Sequence, residues 1–338
     1  MEKSQITKRI EYIDIFRALG IIFMVMGHVG FTVYFDHFIH AFHMPMFFFV
    51  SGFFFKRKTV QEMSFCSFLK KKMRSLLIPY LFFGIVHFII YTLLYGFSAE
   101  PLLHLVWINT DKLPIAGALW FLTALFFTDV LYFLLDRYLT NKYAKGVVLL
   151  LLSLTGCFAN LLPFALPFGL GASLASLLIY EMGYLTKTFS EKKVVSFALQ
   201  LPWYCFLPLA GITAVLIFLN GYINMRIGSY GFVPLFYLNV LLAVLVLLNF
   251  AKYLFTLFQT RFPNNYLIGI GRNSIVYFGL NQLFILLFRF LAGQVQLPVG
   301  GIGVIASKLF ILVGCMVMLY LCEKLFTKTK LKVLIGNK

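Results

Sequence analysis

Long apolar runs, separated by short connections rich in charge, glycine or proline, limit the fold of this chain more than any other feature of its sequence. An α-helix needs about 20 predominantly apolar residues to cross the hydrocarbon core of a bilayer. Candidate spans lie at about 12–33, 38–55, 75–95, 116–135, 146–161, 164–185, 196–219, 232–251, 267–291 and 301–322. The sequence therefore predicts an all-α polytopic integral membrane protein with about ten transmembrane helices.

The composition excludes a soluble protein. Residues of the AVILMFWYC set make up 61% of the 338 residues, and charged residues only 12%. Soluble chains average about 45–50% apolar and about 25% charged residues. Ten spans of roughly 20 residues use about 200 residues, so we expect residues 1–338 to form a single membrane-embedded domain with no separate soluble domain.

Basic residues lie in short blocks between the apolar runs and account for the net charge of +17. Seven of them fall between Lys56 and Arg74, whereas the connections predicted to face outward carry only Lys112 and Arg226. An excess of Lys and Arg marks the cytoplasmic side of a membrane protein. We therefore expect both termini in the cytoplasm and a multi-pass protein of the inner (plasma) membrane. Such blocks orient a membrane protein rather than form a basic groove, so nucleic acid is not an expected partner.

Four basic residues, Arg17, Arg272, Arg289 and Lys308, fall inside the predicted spans. An ionisable group at the centre of a bilayer costs at least about 2.5–3.5 kcal/mol. Each of the four therefore needs a partner or a function.

The first span, YIDIFRALGIIFMVMGHVG (Tyr12–Gly30), carries the clearest chemical signal. Arg17 and His28 are eleven residues apart, which is within about 20° of three full helical turns, so both side chains share one face. They stand about 16 Å apart along the helix axis. Asp14, three residues before Arg17, is a natural ion-pair partner, and a purely structural pair remains an alternative reading.

The second span, FIHAFHMPMFFFVSGFFF, is expected to run back inward from a start near His40, which places His43 at a depth similar to that of His28. Two imidazoles with a guanidinium below them predict a polar track through the membrane. Imidazole is suited to proton transfer near neutral pH, and Arg is suited to holding a phosphate or carboxylate. The alternative for His43 is an ordinary interfacial residue.

Three histidines, His37, His40 and His43, have a spacing that resembles metal ligands. That spacing drifts about 60° around a helix over six residues, and the only carboxylate or thiol nearby is Asp36. We therefore predict no metal site.

Taken in order, several segments resemble the acyltransferase 3 family of bacterial polytopic membrane O-acyltransferases, with the fucose 4-O-acetylase-like subgroup the most similar. These segments are the Arg–x10–His pair, FHMPMFFFVSGFFF, KKKMRSLLIPY (Lys70–Tyr80), GALWFLTALFF (Gly117–Phe127) and IGRNSIVYFGLNQ (Ile270–Gln282). The resemblance covers nearly the whole chain. It implies transfer of an acyl group from cytoplasmic acyl-CoA to a sugar hydroxyl at or beyond the outer face of the membrane.

Carried over by residue, the resemblance makes His28 the catalytic base, with Arg17 and His43 also catalytic. Lys71 and Arg74 match a basic motif on the acyl-CoA side, although Lys71 replaces the more usual Arg and cannot bind a phosphate in bidentate fashion. Coenzyme A is polyanionic, and the basic loop would attract it; binding to anionic lipid heads is the alternative.

The remaining substrate-binding candidates are polar or aromatic residues near the outer end. Trp120 could stack on a sugar, or simply belong to an interfacial aromatic belt. Asn224 lies in a polar outer loop that could grip a glycan or be merely solvated. Asn281 stands where a His is common in the family and can only position substrate, since an amide does not titrate. The full substrate-binding set is Asp14, Lys71, Arg74, Trp120, Asn224 and Asn281.

The sequence thus predicts an O-acyltransferase, most simply an acetyltransferase, with no permanently bound cofactor. Its expected partners are acyl-CoA (acetyl-CoA) as donor, an envelope polysaccharide or lipid-linked sugar as acceptor, and membrane lipid. A proton-coupled transporter or lipid-linked sugar flippase is the alternative, because it would use the same buried Arg, His and Asp. A scaffold within an envelope-synthesis complex is a third possibility.

Overall fold

The computed structural model describes residues 10–105, 117–164, 166–258, 262–294 and 301–336. These residues form α-helices joined by short connections. In chain order they are α1 (Glu11–Val29), α2 (Val33–His40), α3 (Pro45–Phe53), α4 (Arg57–Glu62), α5 (Phe65–Lys72), α6 (Ile78–Tyr95), α7 (Glu100–Leu103), α8 (Trp120–Tyr138), α9 (Lys142–Cys157), α10 (Leu170–Ala175), α11 (Leu177–Thr188), α12 (Lys193–Ala198), α13 (Trp203–Asn220), α14 (Val233–Phe258), α15 (Phe262–Arg272), α16 (Ser274–Gln294) and α17 (Gly301–Lys328). A π-helical turn at Met73–Leu77 joins α5 to α6.

The all-α membrane architecture is confirmed, but the count of ten spans is not. Within the described ranges, six helices are long and apolar enough to cross a membrane: Glu11–Val29, Phe65–Tyr95, Trp203–Asn220, Val233–Phe258, Ser274–Gln294 and Gly301–Lys328. A pair bent by 50°, Pro167–Ala175 and Leu177–Thr188, raises the number to seven if it counts as one span. Of the other predicted spans, the fourth forms α8 but carries three charged residues, and the fifth forms α9 with only 16 residues.

The second predicted span is not one helix. It divides into α2 and α3, and residues 41–44 form a turn between them. Pro45 opens α3, where its fixed φ suits a first helical turn and its missing N–H costs no hydrogen bond. The sequence led us to expect His43 on a continuous helix. It lies instead in the turn between α2 and α3. The ninth span is likewise interrupted at Asn273, between α15 and α16.

Helix α1 lies in the centre of the bundle, where it packs against α3, α14, α15, α16 and α17. Its Ile13, Phe16 and Ile21 side chains are fully buried. A second close crossing joins α3 to α11. A Cβ at Gly52 would lie 1.9 Å from the Tyr180 carbonyl oxygen, and one at Gly183 would lie 2.0 Å from that of Phe49. Only glycine allows these two backbones to approach so closely, and the crossing fixes α3 against α11.

Each basic residue predicted at membrane depth has a partner. Arg289 donates to the carbonyl of His28 at 2.7 Å at the C-terminal end of α1, where cations are favoured by the helix dipole. Lys308 donates to the carbonyl of Phe31 at 2.7 Å. Arg17 and Arg272 form the ion pairs described with the candidate site.

A buried charge network ties α8 to its neighbours. Lys145 lies 3.0 Å from Asp136 and 3.1 Å from Glu181, and Lys72 lies 2.7 Å from Asp129. Part of the basic segment between α3 and α6 is therefore used to anchor the fold. Lys112, which contributed to the predicted orientation, lies outside the described residues.

Candidate active site

Four of the predicted site residues line one cavity of about 90 Å³. This histidine cavity is formed by the end of α1, the α2–α3 turn, the start of α8 and the loop after α13. Its lining residues are His28, His40, His43, Met44, Gly117, Ala118, Trp120, Asn224, Met225 and Arg226. Three imidazoles, an indole, an amide and a guanidinium thus face a common space, although they come from distant parts of the sequence.

His28 lies in the last turn of α1. A Cβ at Gly117 would lie 3.1 Å from its Cε1 atom and 3.6 Å from Oε1 of Gln282, so Gln282 lies close to His28 and Gly117 behind the cavity wall. Oε1 of Gln282 is buried and has no hydrogen-bond donor in the described part of the chain. An unpaired acceptor beside a candidate base is a ready partner for a substrate hydroxyl. Sequence analysis missed Gln282, although it directly follows Asn281.

His43 is buried and fixed in one orientation. Its Nδ1 atom lies 2.8 Å from the carbonyl oxygen of Ile39. A carbonyl can only accept, so Nδ1 carries the proton and Nε2 of the neutral ring is left as the acceptor. The turn between α2 and α3 thus presents a basic nitrogen rather than an N–H group.

His40 is a second residue that the sequence reasoning did not place in the site. Its Nδ1 atom lies 2.9 Å from the backbone carbonyl and 3.2 Å from the carboxylate of Asp36, and its ring centroid lies 4.9 Å from that of His43. Tyr222 donates to the same carboxylate at 3.4 Å. Burial and the nearby Asp36 charge raise the pKa of Tyr222, which keeps its hydroxyl protonated as a donor. The sequence signal for His40 was its place in the H-x2-H-x2-H series, which resembles a set of metal ligands. In the structure, His40 forms a carboxylate–imidazole pair with Asp36.

A second, smaller space of about 70 Å³ surrounds Arg17 and is called here the arginine cavity. It is lined by Arg17, Phe47, Val50, Ser51, Leu76, Phe121, Leu122, Leu125, Ser274, Ile275 and Phe278. Arg17 donates to the hydroxyl of Ser274 at 3.4 Å and lies 3.9 Å from Asp14. Asp14 is buried and also lies 3.4 Å from Arg272, so two guanidinium groups share its charge. A substrate that contacts Asp14, as the sequence predicted, would have to compete with both guanidinium groups.

Three phenylalanines divide the polar track that the sequence predicted. The ring of Phe47 lies 5.5 Å from Phe121 and 4.9 Å from Phe278, centroid to centroid, and Phe121 stacks on Phe278 at 4.9 Å. A Cβ at Gly20, which lies between the two polar residues of α1, would be 2.9 Å from Phe47. The aromatic rings therefore occupy the level between the histidine and arginine cavities, which share no lining residue.

The other predicted site residues lie away from both cavities. Lys71 is exposed on α5, and Arg74 is partly buried in the π-helical turn, whose Leu76 does reach the arginine cavity. Asn281 is 1% exposed and donates to the backbone carbonyls one turn earlier in α16. The backbone carbonyl oxygen of Asn281 accepts a hydrogen bond from the thiol of Cys315 in α17. Its neighbour Gln282 is the residue that lies close to His28.

No group of three His, Cys, Asp or Glu side chains among the residues with described placement is arranged to hold a metal ion. The arrangement instead offers proton acceptors at one end of α1 and a cation beside two serine hydroxyls, Ser51 and Ser274, at the other. Proton transfer and the binding of an anion or a polarised carbonyl are the chemistry that these groups support.

Comparison with known proteins agrees with this chemistry. A family model described as an acyltransferase domain matches residues 10–322, a stretch that contains both cavities and all the helices that line them. No curated protein matches the chain. Because the family match covers most of the chain, this protein belongs to the acyltransferase 3 family.

Proposed function

We propose that this membrane acyltransferase moves an acyl group, most simply acetyl, from cytoplasmic acyl-CoA to a hydroxyl of an envelope polysaccharide or lipid-linked glycan. The observation that carries the proposal is the convergence of His28, His40 and His43 with Trp120 and Asn224 on one cavity. An indole face and an amide are common contacts of a sugar, and an imidazole acceptor beside them suits a hydroxyl that must lose its proton.

In the proposed reaction, His28 takes the proton from the acceptor hydroxyl as its oxygen attacks the thioester carbonyl. The new C–O bond forms, the C–S bond breaks, and the thiolate of coenzyme A leaves. The proton then passes from the imidazolium to that thiolate, so the enzyme returns to its starting state. General-base assistance of this kind contributes about 10²–10⁴-fold to a rate. Gln282 would accept a hydrogen bond from a neighbouring hydroxyl of the acceptor sugar.

The donor is proposed to enter from the end of the bundle that contains Arg17. That end adjoins the most basic connection of the chain, and coenzyme A carries several phosphate charges. Lys71 and Arg74 remain the proposed contacts for these phosphates, with Arg17 nearer the thioester. The acyl group would reach the histidine cavity only when Phe47, Phe121 or Phe278 moves, so side-chain gating is part of the proposal.

One observation favours the alternative of a proton-coupled transporter. The two cavities lie on opposite sides of an aromatic barrier, an arrangement compatible with alternating access, in which a site opens to one side of the membrane at a time. A transporter, however, would not cleave a thioester, and this difference separates the two functions.

The test is turnover of acetyl-CoA by purified protein in detergent, with envelope glycan as acceptor. We expect the wild-type protein to release free thiol and to label the glycan, and His28→Ala to do neither while remaining folded in the membrane. His37→Ala is the matched control, because His37 lies in α2 but does not line the cavity. Wild-type activity in His28→Ala would refute the assignment, and absence of thiol release from wild-type protein would favour transport.

A further inference from the structure

A groove of about 360 Å³ lies beside the histidine cavity. It lies between the end of α9, the start of α10 and the loop after α13. Its wall has a small-residue side formed by Gly156, Ala159, Gly169, Gly171 and Ala172, and an apolar side that includes Leu162, Pro163 and Phe164. None of the sequence-based assignments used this groove.

The groove and the histidine cavity meet at Met225 and Arg226, which line both. The loop that carries these residues is held by its own backbone, since Asn224 and Ser229 exchange hydrogen bonds of 2.8 and 3.0 Å. The side chain of Asn224 accepts a further bond from the Arg226 N–H at 3.1 Å. A ligand in the groove would therefore lie against a well-defined loop whose other side faces the three imidazoles.

The shape and lining of the groove favour a sugar ring over acyl-CoA, the donor substrate. Its volume falls in the range of about 300–1,000 Å³ that is typical of small-molecule sites. The apolar side could cover the C–H face of a pyranose, while Asn160 and Arg226 offer hydrogen bonds to its hydroxyls. Coenzyme A needs several cations for its phosphates, and Arg226 is the only charged residue that lines the groove.

The groove is also open on one side, because Leu162 and Phe164 remain 42% and 60% exposed. A sugar bound there could continue into neighbouring units of a chain without a clash. An enclosed pocket would instead select a free monosaccharide or a small alcohol.

We propose that this groove is the acceptor subsite, and that it binds one pyranose unit of a glycan chain so that a ring hydroxyl passes Met225 and Arg226 into the histidine cavity. The inference rests on the proposed function and deepens it by locating the site that binds the glycan acceptor. The groove residues Asn160 and Arg226 are then specificity-determining, and the groove contributes to acceptor binding but not to donor binding.

Filling the groove tests the proposal. In Asn160→Trp, a large ring would occupy the groove, whereas Leu161→Trp places the same ring on the neighbouring residue, which is 77% exposed and does not line it. We expect Asn160→Trp to raise the KM for envelope oligosaccharides by about tenfold or more, which corresponds to about 1.4 kcal/mol of binding. The KM for acetyl-CoA should stay at the wild-type value in both variants, because the donor is proposed to enter at the opposite end of α1.

Direct binding of a fluorescently labelled envelope oligosaccharide fraction, measured without acetyl-CoA, separates this inference from the proposed function. Binding by wild-type and Leu161→Trp but not by Asn160→Trp supports the groove, even if no acyl transfer is seen and the proposed function fails. Equal binding and equal glycan acylation by both variants would overturn the groove assignment. A wild-type protein that neither binds nor acylates the fraction would overturn both.

Discussion

The carboxylate–imidazole pair of Asp36 and His40 leads to a quantitative prediction. During transfer a proton leaves the acceptor hydroxyl and enters the cluster of three imidazoles, and Asp36 is a carboxylate that pairs with one of them, His40. Its oxygen is 3.2 Å from Nδ1 of His40. In Asp36→Asn the negative charge is lost, but the 2.9 Å bond from Nδ1 to the backbone carbonyl remains, so the tautomer and orientation of His40 are retained.

The size of the effect follows from that distance. Opposite unit charges 3.2 Å apart attract each other by about 1.3 kcal/mol in water and by about 5 kcal/mol at an effective dielectric constant of roughly 20. The two side chains are 22% and 30% exposed, so solvent screening favours the lower figure. Since about 1.4 kcal/mol corresponds to a tenfold change in rate, and the proposed reaction puts the proton on His28 rather than on His40 itself, we expect kcat to fall by up to roughly tenfold.

The assay is acetyl transfer to envelope oligosaccharides over a range of both substrate concentrations. We expect kcat to fall while the KM for acetyl-CoA stays unchanged, because the pair lies at the far end of α1 from the proposed donor site. Tyr222→Phe removes the 3.4 Å hydrogen bond to Asp36 but leaves the carboxylate charge in place, so it should have a much smaller effect. An unchanged kcat in Asp36→Asn would refute a role for the pair in proton transfer. A raised KM for acetyl-CoA would mean that the donor binds at the histidine end of α1 rather than at the arginine end.

Two further predictions concern stability. Gly183→Ala should lower the thermal stability in detergent, with an overpacking cost of about 1–3 kcal/mol or more, because its Cβ would lie 2.0 Å from a backbone oxygen of α3; Gly146→Ala, with no atom within 4 Å of its Cβ, is the matched control and should melt like wild type. Lys145→Met should destabilise the protein by up to about 3–5 kcal/mol, because it removes the cation shared by Asp136 and Glu181 and leaves the buried Asp136 with Arg57 alone, 3.3 Å away; the second change Asp136→Asn should recover part of that loss. Equal melting temperatures for the two glycine variants, or for Lys145→Met and wild type, would contradict these assignments.

Much of the fold could be predicted from hydropathy alone, because a helix of about 20 apolar residues is one of very few structures that satisfy its backbone in lipid. The interruptions within the predicted spans could not be predicted from hydropathy. The second apolar run is continuous in composition, and its division at residues 41–44 depends on local chemistry that hydropathy does not measure, such as the helix-starting proline at position 45. Helices α8 and α9 bury their charges against one another, so neither has the length and composition of an independent span.

The candidate site was partly predictable for a similar reason. The spacing of Arg17 and His28 is a property of a single helix and can be read from a sequence. The approach of Gln282 and Arg226 to the histidines depends on how distant segments pack, and one sequence carries no such information. Whether Gln282 or its neighbour Asn281 faces the cavity is a matter of 100° of helix rotation, which only the packing of α16 determines.

The central claim is that an acyl group supplied at the arginine end of α1 reaches a hydroxyl at its histidine end. The most direct measurement uses oriented proteoliposomes, with radiolabelled acetyl-CoA on the side of the basic loop and envelope glycan on the opposite side. We predict that label appears in the glycan with wild-type protein and not with His28→Ala. Label that reaches glycan only when both substrates are on the same side, or equally with His28→Ala, would contradict the claim.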